Sequence, residues 1–509
     1  MESHLTLKQA LAPVRFAFFL LALSWSCSNR SETTSVQFDQ VKTRIQKYVE
    51  EAGVPSIAVA VAKDGKIIWE EGFGWANKEK NIKATAQTMY SVGSIAKPMT
   101  ATGLMVLVER GLIDLNKPAN VYLGEVTLRA FEGKGEEATV KRILHHTAGL
   151  PMYWHFCRGD SGKRPTPEET IRHFGILVAA PGDRYEYSNL GYAILATIIE
   201  RESRKAFPEF MRSEVFEPLG LRNTAVLMEP LPADSIAPRY IENRDISPFY
   251  DYHLRGASAV YSSAHDLVRF GMFHLKNHLS DQRQILSDNT IEEMQESVDS
   301  KLPSSRYKLG WDVGERYGYD VVTHGGGMPG VRTMMLLLPS ENIVVAVLCN
   351  GENIELPRIY DPILATLLPK YERGWKAQQS SAVSGGSRTF SPPPLLIGEW
   401  IGKITTYNET IPVQLNCDKD GNLGMIFPDD SNSAQTMHKL ASPPRFQNGI
   451  FVANFQASLP LEEALQSPNT VYLKMKLRDN KLSGTALALC EKEYFGLPSY
   501  IELAKKETR

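Results

Sequence analysis

The sequence predicts an α+β domain followed by a small all-β domain, and three observations support this prediction. Strand-like segments stand near both ends of the first 370 residues, and helical, loop-rich sequence fills about 100–300 between them. From about residue 395 onward the pattern consists of short strands and turns. Strands from the two ends of one segment can form a single antiparallel sheet, and regularly spaced short strands are typical of barrels and sandwiches.

The composition is that of an ordinary globular protein. Of the 509 residues, 43% are hydrophobic and 22% are charged, which excludes disorder, collagen and coiled coil as the overall class. The 56 Lys and Arg residues nearly balance the 58 Asp and Glu residues, so the formal net charge is -2. Because this balance provides no general attraction for nucleic acid, we expect no nucleic-acid partner.

Residues 1–27 predict an export signal, either a signal peptide or a lipoprotein signal. Lys8 and Arg15 precede an apolar run, Phe16–Leu23, that is too short to span a bilayer and has the shape of a secretory signal. Cys27 follows a small residue, which resembles the lipidation site of a bacterial lipoprotein. We therefore expect a bacterial protein that is exported, periplasmic or tethered to the outer membrane, with membrane contact only through a lipid on Cys27. The alternative is a plain cleaved signal, with Cys27 removed or left free.

The α+β domain is expected to cover residues 38–370. An apolar segment at 56–62 is followed by Asp64-Gly65 and a second strand at 66–74, which is the pattern of a hairpin. Near the other end of the domain, further strands are predicted at 308–313, 334–338 and 343–348. These strands should join the hairpin in one antiparallel sheet.

An all-β accessory domain is expected at 395–509, after a linker at 378–394. The linker is rich in Ser, Gly and Pro and has almost nothing to bury. Turn signals at Asp420-Gly421 and Asp479-Asn480 indicate hairpins within the domain, which predicts a small barrel or sandwich. The strands predicted there are 398–405, 410–415, 423–427, 450–455 and 471–477.

Ser94 and Lys97 form the first candidate catalytic pair. A serine hydroxyl is barely ionised at neutral pH, so a serine nucleophile needs a base within hydrogen-bond reach. Helical sequence follows at 99–110, and residues three apart share one face of a helix, which would place Lys97 beside Ser94. Burial would lower the pKa of the lysine and let it act as the base. The Ser-x-x-Lys pattern also arises by chance, so the assignment depends on further motifs.

Tyr187-Ser188-Asn189 is the second motif, and it precedes a helix predicted at 190–201. A tyrosine hydroxyl can relay a proton where nearby cations depress its pKa. The amide of Asn189 can both donate and accept hydrogen bonds, to a lysine or to a substrate.

Residues 323–327 form the third motif, Thr-His-Gly-Gly-Gly, which introduces a strand pair. His324 offers an imidazole that is mostly neutral at pH 7. Gly325 and Gly326 lack side chains, so a ligand could lie against the backbone there.

Together these motifs resemble those of the serine β-lactamase and penicillin-binding-protein superfamily. The similarity is greatest to the class C branch, with its D-aminopeptidases, D-alanyl-D-alanine carboxypeptidases and esterases, and it covers about 38–365. The resemblance implies a β-lactamase-like fold, in which an antiparallel sheet has flanking helices and a helical subdomain. Surrounding phrases that agree with it are Met89–Gly93, Gly111–Leu115 and His146–Pro151.

The resemblance implies a role for each motif residue. Ser94 would be the acylated nucleophile, and Lys97 and Tyr187 would transfer protons, with either of the two as the acylation base. The backbone N–H groups of Ser94 and Gly327 would form the oxyanion hole. The residues that would bind substrate are Asn189, His324, Gly325 and Gly326.

The expected function is that of a serine hydrolase that cleaves an amide or ester bond in a small molecule or peptide through an acyl-enzyme on Ser94. β-Lactamases carry a lysine where His324 stands, so the sequence favours the peptidase or esterase members. Two alternatives remain open, a β-lactamase proper and a penicillin-binding sensor that acylates without turnover. No cofactor is expected, and the histidines near Cys157 fit no metal-ligand spacing. The oligomeric state is left open.

Overall fold

A computed structural model describes residues 37–158, 165–227, 236–242, 245–246, 250–251, 254–302, 305–381, 390–428, 435–462, 469–490 and 494–506. The export signal predicted at 1–27, with Cys27, lies outside these residues. The α-helices in the described ranges are α1 (Asp39–Ala52), α2 (Ala96–Glu109), α3 (Val140–Leu144), α4 (Pro167–Phe174), α5 (Asn189–Ser203), α6 (Phe207–Met211), α7 (Arg255–Ser258), α8 (Ala264–His274), α9 (Asp288–Glu296), α10 (Pro357–Leu367) and α11 (Pro369–Ser381).

The first part of the chain contains a large sheet and several short strand pairs. Its strands are β1 (Ser56–Lys63), β2 (Lys66–Asn77), β3 (Ile82–Lys83), β4 (Tyr90–Ser91), β5 (Arg129–Ala130), β6 (Trp154–His155), β7 (Cys157–Arg158), β8 (Ile176–Leu177), β9 (Ala225–Val226), β10 (Tyr240–Ile241), β11 (Asp245–Ile246), β12 (Tyr250–Asp251), β13 (Val260–Ser262), β14 (Asp312–Arg316), β15 (Tyr319–Met328), β16 (Val331–Leu338) and β17 (Ile343–Cys349).

The large sheet has seven strands in the order β14-β15-β16-β17-β1-β2-β3. β1 pairs antiparallel with β17, with Ala60 opposite Ala346, so the two ends of the domain meet in one sheet. This confirms the predicted α+β architecture. β15, which carries the third motif, lies near one edge of this sheet.

Both faces of the sheet are covered, which explains why β1 is apolar along nearly its whole length. Ala58 and Ala60 belong to the core that also contains residues of α2, α5 and α8. Val59 and Val61 belong to the core formed with α1 and α10. Successive side chains of a strand point to opposite faces, so alternate residues of β1 serve the two layers.

The second part of the chain forms a nearly closed, barrel-like sheet in the order β21-β20-β19-β18-β26-β25-β24-β23-β22. The end strands β21 and β22 are separated only by Lys439, which brings the two edges together. Buried Trp400, Phe427 and Leu473 belong to its apolar interior, so the barrel has a packed core. The strands are β18 (Gly398–Thr405), β19 (Thr410–Cys417), β20 (Leu423–Pro428), β21 (Gln435–His438), β22 (Leu440–Gln447), β23 (Ile450–Phe455), β24 (Thr470–Arg478), β25 (Lys481–Cys490) and β26 (Phe495–Lys505).

The segment between the two sheets differs in part from the predicted linker at 378–394. Helix α11 continues to Ser381, so the first residues of the predicted linker are helical. Tyr317 lies in the turn between β14 and β15, and its hydroxyl donates a hydrogen bond to the side chain of Gln378 at 2.5 Å, a contact that composition does not reveal. Residues 382–389 lie outside the described ranges. Within those ranges, the helices are all too short or too polar to cross a lipid bilayer.

Candidate active site

Ser94 lies on a tight turn that leads directly into helix α2. The turn is a 3-10 helix, Gly93–Ile95, and α2 continues from Ala96. Gly93 has φ +55°, and a Cβ atom there would lie 3.1 Å from the backbone nitrogen of Gly327. Glycine is needed at position 93 for both reasons, since this conformation and this close approach disfavour a side chain.

Lys97 is completely buried, and its amine contacts three oxygen atoms. The Nζ atom lies 2.9 Å from Ser94 Oγ, 2.8 Å from Asn189 Oδ1 and 3.1 Å from the backbone oxygen of Ala257. The oxygens of Asn189 and Ala257 can only accept hydrogen bonds. A neutral amine would therefore donate its two N–H groups to them and direct its lone pair at the hydroxyl of Ser94.

Burial also favours the neutral form of this amine. Desolvation lowers the pKa of Lys97 well below its usual value. Its closest oxygen partners, from Ser94, Asn189 and Ala257, are neutral groups rather than carboxylates. The structure thus places a readily deprotonated base against the candidate nucleophile.

Tyr187 contacts the same serine from the other side. Its hydroxyl donates a hydrogen bond to Ser94 Oγ at 2.8 Å. Burial raises the pKa of Tyr187 above its usual value, and the hydrogen bond to Ser94 offsets this only in part. The phenol is therefore a proton donor at neutral pH. Ser94 and Tyr187 are both partly exposed, so a substrate can reach them.

Asn189 is held in place because it is the first residue of helix α5. Ser188 caps this helix, and its hydroxyl oxygen accepts a hydrogen bond from the backbone N–H of Gly191 at 3.0 Å. The same hydroxyl donates to the backbone oxygen of Pro151 at 2.7 Å. This cap sets the direction of the Asn189 side chain toward Lys97.

His324 is buried, and both nitrogens of its ring have partners. Nδ1 donates to the backbone oxygen of Gly325 at 2.8 Å, and Nε2 lies 2.9 Å from the hydroxyl of Tyr307. Burial lowers the pKa of His324 to about 3, and the nearby Lys97 adds to this effect. The imidazole is therefore neutral at pH 7. It forms hydrogen bonds with Tyr307 and with the backbone of its own strand, and it presents no cation to a substrate.

The glycines of the third motif allow β15 to lie against the turn that carries Ser94. A Cβ atom on Gly326 would lie 2.0 Å from the backbone oxygen of Val92, and Thr333 donates a hydrogen bond to that same oxygen at 2.9 Å. The backbone nitrogen of Gly327 is thereby brought close to Gly93, the residue before Ser94. An oxyanion hole formed by the N–H groups of Ser94 and Gly327 stays a prediction.

Adding one methyl group at Gly326 is expected to disturb this contact. Gly326→Ala should lower the free energy of unfolding by about 1–3 kcal/mol because the new carbon overlaps backbone. Gly327→Ala is the matched control, since its Cβ would meet nothing closer than Arg332 Nη1 at 3.5 Å. Thermal unfolding of the two variants measures the difference, and equal melting temperatures would contradict the close approach.

His146 belongs to the site, although the sequence predicts no catalytic or binding role for it. Its Nδ1 accepts a hydrogen bond from the backbone N–H of Ser188 at 3.1 Å, within the second motif. Its ring centroid lies 4.5 Å from that of Tyr187 and 4.5 Å from that of Tyr307. In the sequence, only the phrase His146–Pro151, which supports the family resemblance, indicates this residue. In the described residues, no group of three or more His, Cys, Asp or Glu side chains is suited to hold a metal ion.

In this site, a lysine amine and a tyrosine hydroxyl both contact the hydroxyl of one serine, beside an antiparallel sheet with a helical subdomain. This arrangement defines the class of serine hydrolases related to β-lactamases. The comparison with known families agrees. The family model described as Beta-lactamase matches residues 41–368, which is more than half of the chain. The chain therefore belongs to the Beta-lactamase family.

Individual relatives match more than half of the chain. Penicillin-binding protein 4* of Bacillus subtilis (strain 168) is 26% identical over 327 residues, which cover 58% of this chain and 68% of that protein. The unguisins hydrolase ungD' of Aspergillus campestris (strain IBT 28561) is 25% identical over 461 residues, or 82% of this chain and 85% of that protein. The octameric penicillin-binding protein homologue from Pyrococcus abyssi superposes with a TM-score of 0.57 at 24% identity, over 91% of this chain and 99% of that chain. This structural likeness concerns the fold.

Proposed function

We propose that this protein is a serine hydrolase of the peptidase or esterase type, which cleaves an amide or ester bond through an acyl-enzyme on Ser94. One observation carries the proposal: Ser94 Oγ lies 2.9 Å from the Lys97 amine and 2.8 Å from the Tyr187 hydroxyl. The name of one relative, a hydrolase of unguisins, supports a hydrolytic activity.

In the first half of the reaction, Lys97 is the base and Tyr187 is the acid. The lone pair of Lys97 takes the proton of Ser94 as Oγ bonds to the carbonyl carbon of the substrate. The N–H groups of Ser94 and Gly327 stabilise the oxyanion. The bond to the leaving group then breaks while Tyr187 donates a proton to it, and the proton held by Lys97 restores the Tyr187 hydroxyl. One proton has then moved from Ser94 to the leaving group.

In the second half, water replaces the leaving group. A water molecule loses a proton to Lys97 or Tyr187 as its oxygen bonds to the acyl carbon. The bond from this carbon to Ser94 Oγ breaks, and Oγ regains a proton. The free acid departs and the site returns to its starting state.

The charge of the site argues for amide or ester substrates over β-lactam antibiotics. His324 occupies the position at which β-lactamases have a lysine, and it is neutral and enclosed. A β-lactam carboxylate would find no cation there. A β-lactamase proper and a sensor that acylates without turnover are the alternatives.

A substrate panel tests the proposed function. We expect turnover of p-nitrophenyl esters or D-amino-acid amides, and slow or absent turnover of nitrocefin. D-Ala-D-Ala peptides complete the panel. Intact-mass spectrometry should detect a transient acyl adduct on the wild type and none on Ser94→Ala. Turnover by Ser94→Ala at the wild-type rate would refute the mechanism, rapid nitrocefin hydrolysis would indicate a β-lactamase, and a stable adduct would indicate a sensor.

We also propose that the protein is exported, on the basis of residues 1–27. The mass of the mature N-terminus after expression in a bacterium tests this. A lipid-modified Cys27 would indicate tethering, and an intact Met1 would contradict export.

A further inference from the structure

Strand β24 of the barrel carries a row of three cations on its outer face. Lys474, Lys476 and Arg478 occupy alternate positions, so their side chains point the same way. The intervening Met475 is buried in the interior of the barrel. The outer face of β24 is directed toward the first domain, as the partners of these cations show.

These cations bind the loop that immediately precedes Tyr187. Lys474 Nζ lies 2.6 Å from Glu186 Oε2, and Lys476 Nζ lies 2.6 Å from Asp183 Oδ1. Arg478 Nη2 lies 2.8 Å from the other carboxylate oxygen of Asp183. Glu186, the residue next to Tyr187, is thus paired directly with the barrel.

The carboxylates in these pairs are too buried to be ordinary surface ions. Only 6% of the Glu186 side chain and 18% of the Asp183 side chain are exposed. Burial raises the pKa of Asp183, but the bonds from Lys476 and Arg478 outweigh it, so the net pKa is lowered. A carboxylate enclosed to this degree requires charged partners. Arg184 of the same loop also pairs with Asp183 at 3.2 Å and with Glu186 at 2.5 Å, so without Lys474 the Glu186 carboxylate would keep only a partner from its own loop.

The opposite side of the same loop is held by His146. The backbone oxygen of His146 accepts a hydrogen bond from the N–H of Glu186 at 2.8 Å, and its Nδ1 accepts one from the N–H of Ser188 at 3.1 Å. Glu186 and Ser188, the two neighbours of Tyr187 in the chain, are therefore both held to His146 through their backbone N–H groups. The side chain of Glu186 is anchored on the other side by Lys474.

The barrel itself is fixed against the first domain close to this loop. Strand β6 adds to the barrel sheet, with Trp154 opposite Gly496 of β26. A Cβ atom at Gly496 would lie 2.6 Å from the ring of Trp154, so the indole lies directly on the barrel backbone. The cations that contact the loop therefore belong to a strand of a barrel that is itself packed against the first domain.

We propose that Lys474 and Lys476 of the barrel are positioning residues for Tyr187, and that the barrel is part of the catalytic unit. This inference rests on the proposed function, in which the Tyr187 hydroxyl must stay within hydrogen-bond distance of Ser94 Oγ. Loss of Lys474 would remove the contact that holds the Glu186 side chain to the barrel and would shift the adjacent Tyr187 hydroxyl, and small displacements of a catalytic group have large effects on rate.

Lys474→Met tests the inference, with Lys474→Arg as the conservative variant. Lys474→Met should lower kcat for an amide by about tenfold or more, with KM changed by less than about threefold, because the acid is misplaced. Lys474→Arg should restore most of kcat. Lys403→Met is the matched control, since Lys403 is an exposed barrel lysine that pairs at 3.4 Å with Glu502 of the same sheet.

A double-mutant cycle with Glu186→Gln separates this role from general stability. We expect the double variant to be no slower than the slower single variant, because both remove the same contact. Unchanged kcat in Lys474→Met, additive losses, or a loss in Lys403→Met of equal size would overturn the inference. Ser94→Ala is measured in the same assays: if it stays active, the proposed function fails, whereas an inactive Ser94→Ala with unaffected Lys474→Met rejects the positioning role alone.

Discussion

Replacing Lys97 with methionine is expected to reduce kcat/KM for ester and amide substrates by about 10³–10⁴-fold. Methionine fills a similar volume but has no basic nitrogen. Two of the three oxygens around Lys97 Nζ only accept hydrogen bonds, which leaves the lone pair for Ser94. Without that nitrogen, nothing so placed receives the serine proton. Steady-state kinetics on purified protein measures the loss.

The pH profile of the wild type provides a second readout for Lys97. Burial lowers the pKa of Lys97, so the folded protein loses this proton at a lower pH than a free lysine would. Activity that needs the neutral amine should therefore rise with pH below the usual lysine range and then level off. This limb should be absent in Lys97→Met.

Lys97→Arg distinguishes a base from a fixed charge. Arginine keeps a cation at this position but does not deprotonate at accessible pH. We expect it to be as inactive as Lys97→Met, with circular dichroism confirming that both variants fold. Retention of most of the activity by Lys97→Arg would show that the charge, and not a neutral amine, is what the reaction requires.

The local part of the site could be predicted from the sequence. Ser94 and Lys97 are three residues apart, so a helical backbone places them on one face, and the 3-10 turn Gly93–Ile95 that leads into α2 provides this geometry. The predicted strands 398–405 and 450–455 coincide with β18 and β23, because turn residues define their ends. These predictions depend only on residues that are close together in the sequence.

The long-range contacts of Lys97 could not be predicted in this way. Its partner Ala257 follows it by 160 residues and contributes only a backbone oxygen, which has no sequence signature. The cations of β24 likewise have no sequence feature that distinguishes them from exposed charges on any strand. Only the folded structure shows that they pair with Asp183 and Glu186. Such pairings depend on how the two domains pack.

Several strands were also missed for identifiable reasons. β25 is buried along most of its length and shows no alternation of polar and apolar residues. β22 contains Pro443 and Pro444, which argue against a strand unless it lies at a sheet edge, as β22 does. The strand predicted at 308–313 begins only at Asp312, since Gly310 has φ +92° and turns the chain.

Replacing Tyr187 with phenylalanine is expected to slow amide hydrolysis by about 10²–10⁴-fold, and p-nitrophenyl ester hydrolysis by less than about tenfold. The variant keeps the ring that packs on His146 and lies 4.8 Å from Lys97 Nζ. Only the hydroxyl that contacts Ser94 Oγ is lost. An amine leaving group needs a proton as its bond breaks, whereas p-nitrophenolate departs as a stable anion. The comparison should use one D-amino acid as both amide and p-nitrophenyl ester, so that the acyl group is constant.

The ratio of the two losses identifies what Tyr187 does. Desolvation raises the pKa of Tyr187, so its phenol is a weak source of phenolate and a good donor, and its absence should affect the step that protonates the leaving group. Equal losses for amide and ester would instead place Tyr187 in the activation of Ser94, in competition with Lys97. No loss for either substrate would remove Tyr187 from the mechanism. The expected inequality would assign the base to Lys97 and the acid to Tyr187, the choice that the sequence left open.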